Sequence, residues 1–332
     1  MRATRRANDL PVPGDGLPTR PQRTPKSADE SRMGANARLH GQGIAFSLAA
    51  ILVAASSVLL ERPERWVELT AVAVAVALFG VPHGGLDTVF ARQLHGLRGL
   101  RDWSLFVALY SLLAAAVVGV WLIAPTVFLL GFLLISAVHF SGDPQAGSHR
   151  VSRALYGGAV IVLPAGLHGA EVGELFGLLA GTGAAGLVTP VLEALALPWL
   201  AALAMAAVAE AGRSPRTSLE FLAVGALMFL APPLTAFAVF FCGMHSARHI
   251  LRTFDWAARQ GRWPMMASGL LPTLAVMVGG AAIWWWRDDV PFDAQVVQLV
   301  FVGLAALTVP HMALVERVRF SGWRLRRGDA DG

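Results

Sequence analysis

The chain has 332 residues, of which 55% are hydrophobic and 15% are charged, and its formal net charge is +5. Because soluble globular domains carry about 25% charged residues, this composition favours a membrane protein over a soluble one. The positive charge comes from arginines in the tails and short loops, as in other membrane proteins, and does not indicate a nucleic-acid partner. The single cysteine, Cys242, excludes an internal disulfide and a cysteine-based zinc or iron–sulfur site.

The two ends of the chain differ from its middle. Residues 1–40 are rich in Arg, Pro and small polar residues and lack the apolar segment of a signal peptide. Such a segment cannot bury enough apolar surface to fold alone, so we expect a disordered basic N-terminal tail. Residues 319–332 predict a basic C-terminal tail, disordered past Trp323. Between them, residues 43–318 predict one transmembrane domain that holds the active site.

Ten apolar runs approach the ~20 residues that a helix needs to span a bilayer. They are residues 43–60, 66–84, 103–123, 126–141, 153–168, 186–209, 219–231, 234–256, 265–286 and 294–315. We therefore predict an all-α, polytopic bundle of about eight to ten transmembrane helices. The count stays open because Pro232 and Pro233 separate two short runs. It also stays open because the Gly-rich residues 170–184 favour a re-entrant or interfacial segment.

The arginines predict the orientation in the membrane. Under a ten-span topology, the Arg-bearing loops at residues 92–101, 150–153, 213–216 and 248–262 all lie on one side. Cytoplasmic loops carry an excess of Lys and Arg, and the opposite loops here are poor in both. We expect a multi-pass protein of the cell membrane with both termini in the cytoplasm.

Five of the nine histidines lie in or at the ends of apolar runs: His83, His139, His245, His249 and His311. Ionisable side chains within a membrane are costly and face the bundle interior, although one alone could hydrogen-bond between helices. His245 and His249 are four residues apart, so they share one helix face and could chelate one ion. His83 and His139 end their spans at a similar depth. We therefore predict these four as ligands of a metal that imidazole suits, namely Zn, Cu, Fe or Ni.

Two acids follow the predicted ligands at a spacing of four residues. Asp87 follows His83, and Asp143 follows His139. A ligating histidine usually donates its second N–H to a carboxylate, so we predict that both acids orient ligands, within a helix or across to a neighbour. The alternative is that both are solvated acids at the membrane boundary.

A cavity beside the metal is the next prediction. His311, in "TVPHM", could line a substrate cavity or be a fifth residue of the metal site. Phe237, Phe240 and Phe241 precede His245 by one to two turns, so we expect at least one of them to face the cavity. Gly84 and Gly85 would let a bulky ligand or a neighbouring helix approach the backbone.

The motifs "PHGGLD", "HFSGD", "HSARH" and "TVPHM", in this order and at these separations, resemble the Brp/Blh family of bacterial and archaeal membrane β-carotene 15,15′-dioxygenases. The resemblance covers about residues 45–318. It implies central cleavage of β-carotene by O2 into two all-trans-retinal molecules, which often serve a rhodopsin. It also implies one Fe(II) held by four histidines, which here are His83, His139, His245 and His249. The long N-terminal tail and the Gly-rich residues 170–184 depart from the family pattern.

Two other classes remain as alternatives. A membrane di-iron hydroxylase or desaturase also uses histidine motifs, but it needs more of them in clustered pairs, and only "HSARH" is clustered here. A non-catalytic carotenoid- or metal-binding membrane protein would share the composition. A metal transporter should carry several carboxylates within its spans, and these are almost absent away from the span ends.

Overall fold

The computed structural model describes residues 25–145, 147–259 and 268–320, and within these residues every regular element is a helix. The helices are α1 (Pro25–Leu59), α2 (Arg65–Ala75), α3 (Val81–Gly85), α4 (Asp87–His95), α5 (Leu100–Ile123), α6 (Pro125–Phe140), α7 (Arg150–Val162), α8 (Pro164–Ala180), α9 (Thr182–Ala211), α10 (Pro215–Leu230), α11 (Pro233–Phe240), α12 (Ala247–Arg259), α13 (Leu270–Trp286) and α14 (Phe292–Phe320). Two π-helical segments, Val76–Gly80 and Phe241–Ser246, connect α2 to α3 and α11 to α12.

Six helical stretches of the described chain are long and apolar enough to cross a membrane. They are Met33–Leu59, Arg65–His95, Leu100–Ile123, Thr182–Ala211, Pro233–Ala257 and Phe292–Glu316. The pair α7 and α8, bent by 43°, adds a seventh if it forms one broken span. The all-α polytopic class is therefore confirmed. The predicted eight to ten spans are reached only when the shorter apolar helices α6 and α13 are counted as well.

Helix α1 begins at Pro25, so residues 25–40, which we expected to belong to a disordered tail, are helical in the structure. Polar contacts fix this end of the helix against the segment that carries the "HSARH" motif. Arg38 forms an ion pair with Asp255. Gln42 donates to the Gly243 carbonyl at 2.8 Å. Residues 1–24 and 321–332, which hold the rest of the predicted tails, lie outside the described residues.

The Gly-rich residues 170–184 are helical rather than irregular, and they belong to α8 and α9. Gly181 separates the two helices with φ +88°, a left-handed conformation that favours glycine. On α8, the buried side chains in this stretch include Val172, Leu175 and Leu179. The bend at Pro164 explains the break before α8, since proline cannot donate to the helix hydrogen-bond ladder.

The apolar core extends from α1 and α2 to α14, and Leu129, Tyr156, Phe221, Leu227 and Phe240 are almost fully buried in it. Helix α5, in contrast, buries none of its residues within the protein. Many of its apolar side chains are exposed, while Phe106, Tyr110, Val117, Val118 and Trp121 are partly buried against the bundle, so in a bilayer the exposed side of this helix faces lipid.

Breaks in the helices mark the positions of the membrane-embedded histidines. Pro82 lies in the first turn of α3 directly before His83, and Pro310 lies within α14 directly before His311. His245 lies inside the second π-helical segment, and the first such segment ends three residues before His83. Proline and π turns interrupt the regular hydrogen-bond ladder, and π segments recur at functional sites.

Candidate metal centre

Five histidines from different helical segments meet in the interior of the bundle. They are His83 on α3, His139 at the end of α6, His245 in the π segment, His249 on α12 and His311 on α14. Each of the five is at most 8% exposed. The structure therefore brings together the four predicted ligands and adds His311 to them.

The five imidazole rings form a closed circuit. Ring centroids are 5.3 Å apart for His83 and His245, 4.6 Å for His245 and His139, and 5.3 Å for His139 and His311. The circuit closes through His249, whose ring is 5.1 Å from His311 and 5.6 Å from His83. His83 and His311 also face each other at 5.3 Å. The rings thus surround one small volume.

Carboxylates anchor two of the rings through Nδ1. Asp143 accepts from His245 Nδ1 at 2.9 Å, and Asp87 accepts from His311 Nδ1 at 2.6 Å. With the proton on Nδ1, the lone pair of each ring is on Nε2. The Nε2 atoms of His245 and His311 are buried and have no hydrogen-bond partner among the described residues. Buried polar atoms of this kind call for a partner, and a metal ion would supply one.

The rings of His83 and His139 are oriented by other neighbouring groups. His83 Nδ1 contacts the Gly80 carbonyl in the preceding turn, and it lies 3.1 Å from the Ser246 hydroxyl. His139 Nδ1 lies 3.5 Å from a carboxylate oxygen of Glu316. In both rings it is Nδ1 that makes the printed contact with a neighbouring group.

Each acid contacts a histidine other than the one four residues before it. Asp87 contacts His311, and Asp143 contacts His245. Both acids follow a helix end, since α3 stops at Gly85 and α6 stops at Phe140, so the chain turns and each carboxylate reaches another helix. That both acids would contact cluster histidines was predictable, whereas the choice of histidine was not.

Sequence reasoning missed two features of the site. Glu316 was not singled out, although a lone acid near the end of an apolar run was the available signal. Arg248 was assigned to the cytoplasmic charge pattern, but it is 1% exposed and forms a bidentate pair with Glu220 at 2.8 and 2.9 Å. The guanidinium group of Arg248 thus lies against Glu220 on α10.

The spacing of the rings fits a single divalent ion. An imidazole nitrogen binds such an ion at about 2.0–2.1 Å, which puts the ring centroid about 3.2 Å from the ion. Two rings about 90–120° apart around the ion then have centroids about 4.5–5.5 Å apart, close to the observed 4.6–5.6 Å. In the described part of the chain, no group of three or more His, Cys, Asp or Glu side chains already has its donor atoms placed to hold an ion.

An apolar cavity of about 40 Å³ adjoins the cluster, and His83, His139 and His311 form part of its wall. Phe237 and Phe241 also line it. Phe240 does not, because it packs in the core against Phe140 with ring centroids 5.1 Å apart. Residues four apart share a helix face, whereas Phe240 is turned about 100° from Phe241.

Two further apolar cavities continue from the first one. A cavity of about 100 Å³ extends toward α8, and one of about 210 Å³ lies between α5, α6 and α14. Phe132 lines all three, while Ser136, Phe140 and Phe237 are shared by the first two. Together they exceed the ~300 Å³ at the lower end of ligand pockets, although each alone is smaller.

The fold and the site define a polytopic membrane protein with a buried cluster of histidines beside an apolar cavity. The family model described as beta-carotene 15,15′-dioxygenase matches residues 74–318. The chain therefore belongs to this family.

Two relatives support the assignment. The chain is 32% identical over 257 residues to beta-carotene 15,15′-dioxygenase from uncultured marine bacterium 66A03, which covers 74% of this chain and 92% of the relative. It is 28% identical over 347 residues to the probable beta-carotene 15,15′-dioxygenase Blh of Halobacterium salinarum, covering 88% and 95% respectively. No solved structure matches the chain.

Proposed function

We propose that this protein cleaves β-carotene at its central 15,15′ double bond with O2 and releases two molecules of all-trans-retinal. The observation that carries the proposal is the buried histidine cluster in the wall of an apolar cavity, in a chain of this family. The reaction balances without a further reductant, because the double bond breaks and each of its carbons takes one oxygen atom. The retinal released is a chromophore that a rhodopsin would take up.

We propose Fe²⁺ as the resident metal, held by His83, His139, His245 and His249. Imidazole is a suitable donor for ferrous iron. When bound, the ion would supply the activation of O2. The carboxylates next to the cluster contact Nδ1 atoms, so their role is to fix tautomers and ring orientations.

The side chains of the cavity bind and orient the substrate. β-Carotene is a hydrocarbon without a polar group, so its affinity comes from apolar contacts and its alignment comes from cavity shape. Phe237 and Phe241 stack on each other with centroids 5.2 Å apart, and Phe241 also stacks on His245 at 5.6 Å. These rings connect the apolar wall directly to the histidine cluster and exclude water from it.

No side chain is needed as a general acid or base, because oxygen atoms rather than protons are transferred. Thr308, a polar residue in the cavity wall, already donates its hydroxyl to the Leu304 carbonyl at 2.7 Å. Its hydroxyl is therefore occupied within its own helix. The residues of the cavity fit a binding role.

We also propose that the substrate enters from the lipid bilayer between α5, α6 and α14. The largest of the three cavities lies there, and it meets the central one at Phe132 and Thr308. Helix α5 buries none of its residues, so only a lipid-facing helix separates this cavity from the membrane. The arginine distribution supports a cell-membrane protein with cytoplasmic termini and the cluster toward the cytoplasmic half.

Expression in β-carotene-producing cells tests the function. The wild-type protein should bleach the orange colour and yield retinal as the cleavage product in extracts. His139→Ala should leave the colour unchanged, whereas the matched control His95→Ala, at the exposed end of α4, should behave as wild type. Orange cells without retinal, or apocarotenals of unequal length, would contradict central cleavage.

A further inference from the structure

His311 has the surroundings of a metal ligand rather than those of a residue that only lines a cavity. It is 2% exposed, and its ring centroid lies 5.3 Å from His83, 5.3 Å from His139 and 5.1 Å from His249. It therefore contacts three of the four proposed ligands. Without it, the circuit of rings would be open between α6 and α12.

Three helices fix the orientation of the His311 ring. Its Nδ1 donates to Asp87 Oδ1 at 2.6 Å. The other oxygen of Asp87 accepts from the Tyr110 hydroxyl at 3.0 Å, and the carboxyl group is almost fully buried. Because Asp87 uses both oxygens, it holds one position between α5 and α14 and keeps the His311 proton on Nδ1. Carboxylates hold the ligating histidines of metal sites in the same manner.

The second ring nitrogen of His311, Nε2, is buried and forms no hydrogen bond within the described residues. His168 on α8 differs from His311, because both of its ring nitrogens have partners. Its Nδ1 lies 2.8 Å from Arg62 and its Nε2 lies 3.3 Å from the Leu230 carbonyl, as expected for a structural histidine.

We propose that His311 is a fifth imidazole ligand of the metal, oriented by Asp87 and, through it, by Tyr110. The proposal rests on the metal centre proposed above. A fifth neutral donor would raise the affinity for a divalent ion and reduce the number of positions open to O2 and water. Asp87 and Tyr110 are positioning residues, since they act on the metal only through His311.

Co²⁺ provides a test that does not depend on activity. The full-length protein is purified in detergent, stripped of metal and titrated with Co²⁺, while its visible absorption is recorded. Four-coordinate Co²⁺ absorbs much more strongly than five- or six-coordinate Co²⁺. The wild-type protein should give the weak bands of higher coordination. His311→Gly should give stronger, shifted bands and weaker binding, and added free imidazole should restore the wild-type spectrum.

Milder variants keep the test valid if His311→Gly does not fold. Asp87→Asn and Tyr110→Phe conserve shape, and we expect Asp87→Asn to weaken Co²⁺ binding by ~10–100-fold. Tyr110→Phe should weaken it less, because the Asp87–His311 bond remains. The control His168→Gln should bind as wild type.

The outcomes separate this proposal from the proposed function. Wild-type spectra and affinities in folded His311→Gly, or in Asp87→Asn if the glycine variant does not fold, would overturn His311 as a ligand. A wild-type protein that binds Co²⁺ with five donors but yields no retinal from β-carotene would instead overturn the proposed function and leave the ligand set standing.

Discussion

Asp143 is held from two directions, which explains how it can fix the His245 ring. Its carboxylate accepts from His245 Nδ1 at 2.9 Å. Its main-chain carbonyl accepts from Arg248 at 3.0 Å and from Arg252 at 2.9 Å. Arg252 also donates to the Gly142 carbonyl at 3.1 Å. The turn after α6 is thus clamped onto α12, and the carboxylate has little freedom to leave the ring.

Asp143→Asn should lower metal affinity by ~10–100-fold, because the amide no longer stabilises the protonated Nδ1 of His245 as a carboxylate does. The iron content of purified protein after dialysis against a weak chelator is the measurement. Asp289→Asn, an exposed acid outside the cluster, is the matched control. Equal iron content in both variants would identify Asp143 as a boundary acid.

At the scale of single residues, the sequence predicted which histidines and acids would lie close together, but not which acid would contact which histidine. His245 and His249 share a face because of their spacing alone, and the depth of His83 and His139 followed from the arginine pattern. The partners of Asp87 and Asp143 depend on how helices far apart in the chain lie side by side. Local spacing carries no information on that arrangement.

At the scale of elements, α11 and the π segment direct neighbouring aromatic residues to different places. Phe237 and Phe241 line the cavity, while Phe240 is fully buried in the core. Phe237→Ala should alter KM or product length with normal iron content, because it widens only the apolar wall. Phe240→Ala should instead lower stability by about 3–5 kcal/mol, the usual cost of removing a buried phenylalanine.

Steady-state kinetics, iron content and thermal unfolding of the two variants distinguish these effects. Phe241→Ala should show both a changed KM and some iron loss, since its ring contacts His83 and His245. A Phe237→Ala variant with wild-type kinetics would show that this ring only fills space. Iron loss in Phe237→Ala equal to that in Phe241→Ala would contradict the separate roles.

Gly85 and Gly84 provide a second comparison between neighbours. A Cβ atom at Gly85 would collide with the Gly269 carbonyl and the Thr273 hydroxyl, whereas one at Gly84 has open space. Gly85→Ala should therefore push α3 from α13 and cost about 1–3 kcal/mol, as overpacking does. Gly84→Ala should be neutral or slightly stabilising, because alanine favours helix by about 1 kcal/mol over glycine.

Thermal unfolding in detergent, followed by circular dichroism, measures both glycine variants. Gly85→Ala should unfold at a lower temperature and release its iron earlier, because α3 carries His83. Equal unfolding temperatures for the two variants would mean that α3 and α13 can separate without cost.

At the scale of the whole molecule, the cavity between α5, α6 and α14 predicts entry from the bilayer. Gly131 lines this cavity, and nothing lies within 4 Å of a Cβ atom placed there. Gly131→Phe should narrow the entry and reduce kcat/KM for β-carotene with unchanged iron content. The control is Gly119→Phe on α5, where the space is also open. Unimpaired turnover in Gly131→Phe would place the entry elsewhere.

The class of the molecule was predictable because apolar runs and arginine positions are determined by the bilayer itself. The start of α1 at Pro25 was not, since contacts such as Arg38 with Asp255 join residues far apart in the chain and cannot be read from local composition. The number of spans was also uncertain, because helix bends such as the one at Pro164 depend on packing. The composition of a helix shows whether lipid or water surrounds it, but not which other helices it packs against.

The most direct test of the account is the ratio of retinal formed to β-carotene consumed by purified, iron-loaded protein. Central cleavage at one iron per chain predicts two retinal molecules per β-carotene, each carrying one oxygen from ¹⁸O-labelled O2 when aldehyde exchange with water is corrected for. His83→Ala, His139→Ala and His245→Ala should lose both the iron and this activity. A ratio below two with longer apocarotenals, or full turnover in the iron-free His245→Ala protein, would contradict the account.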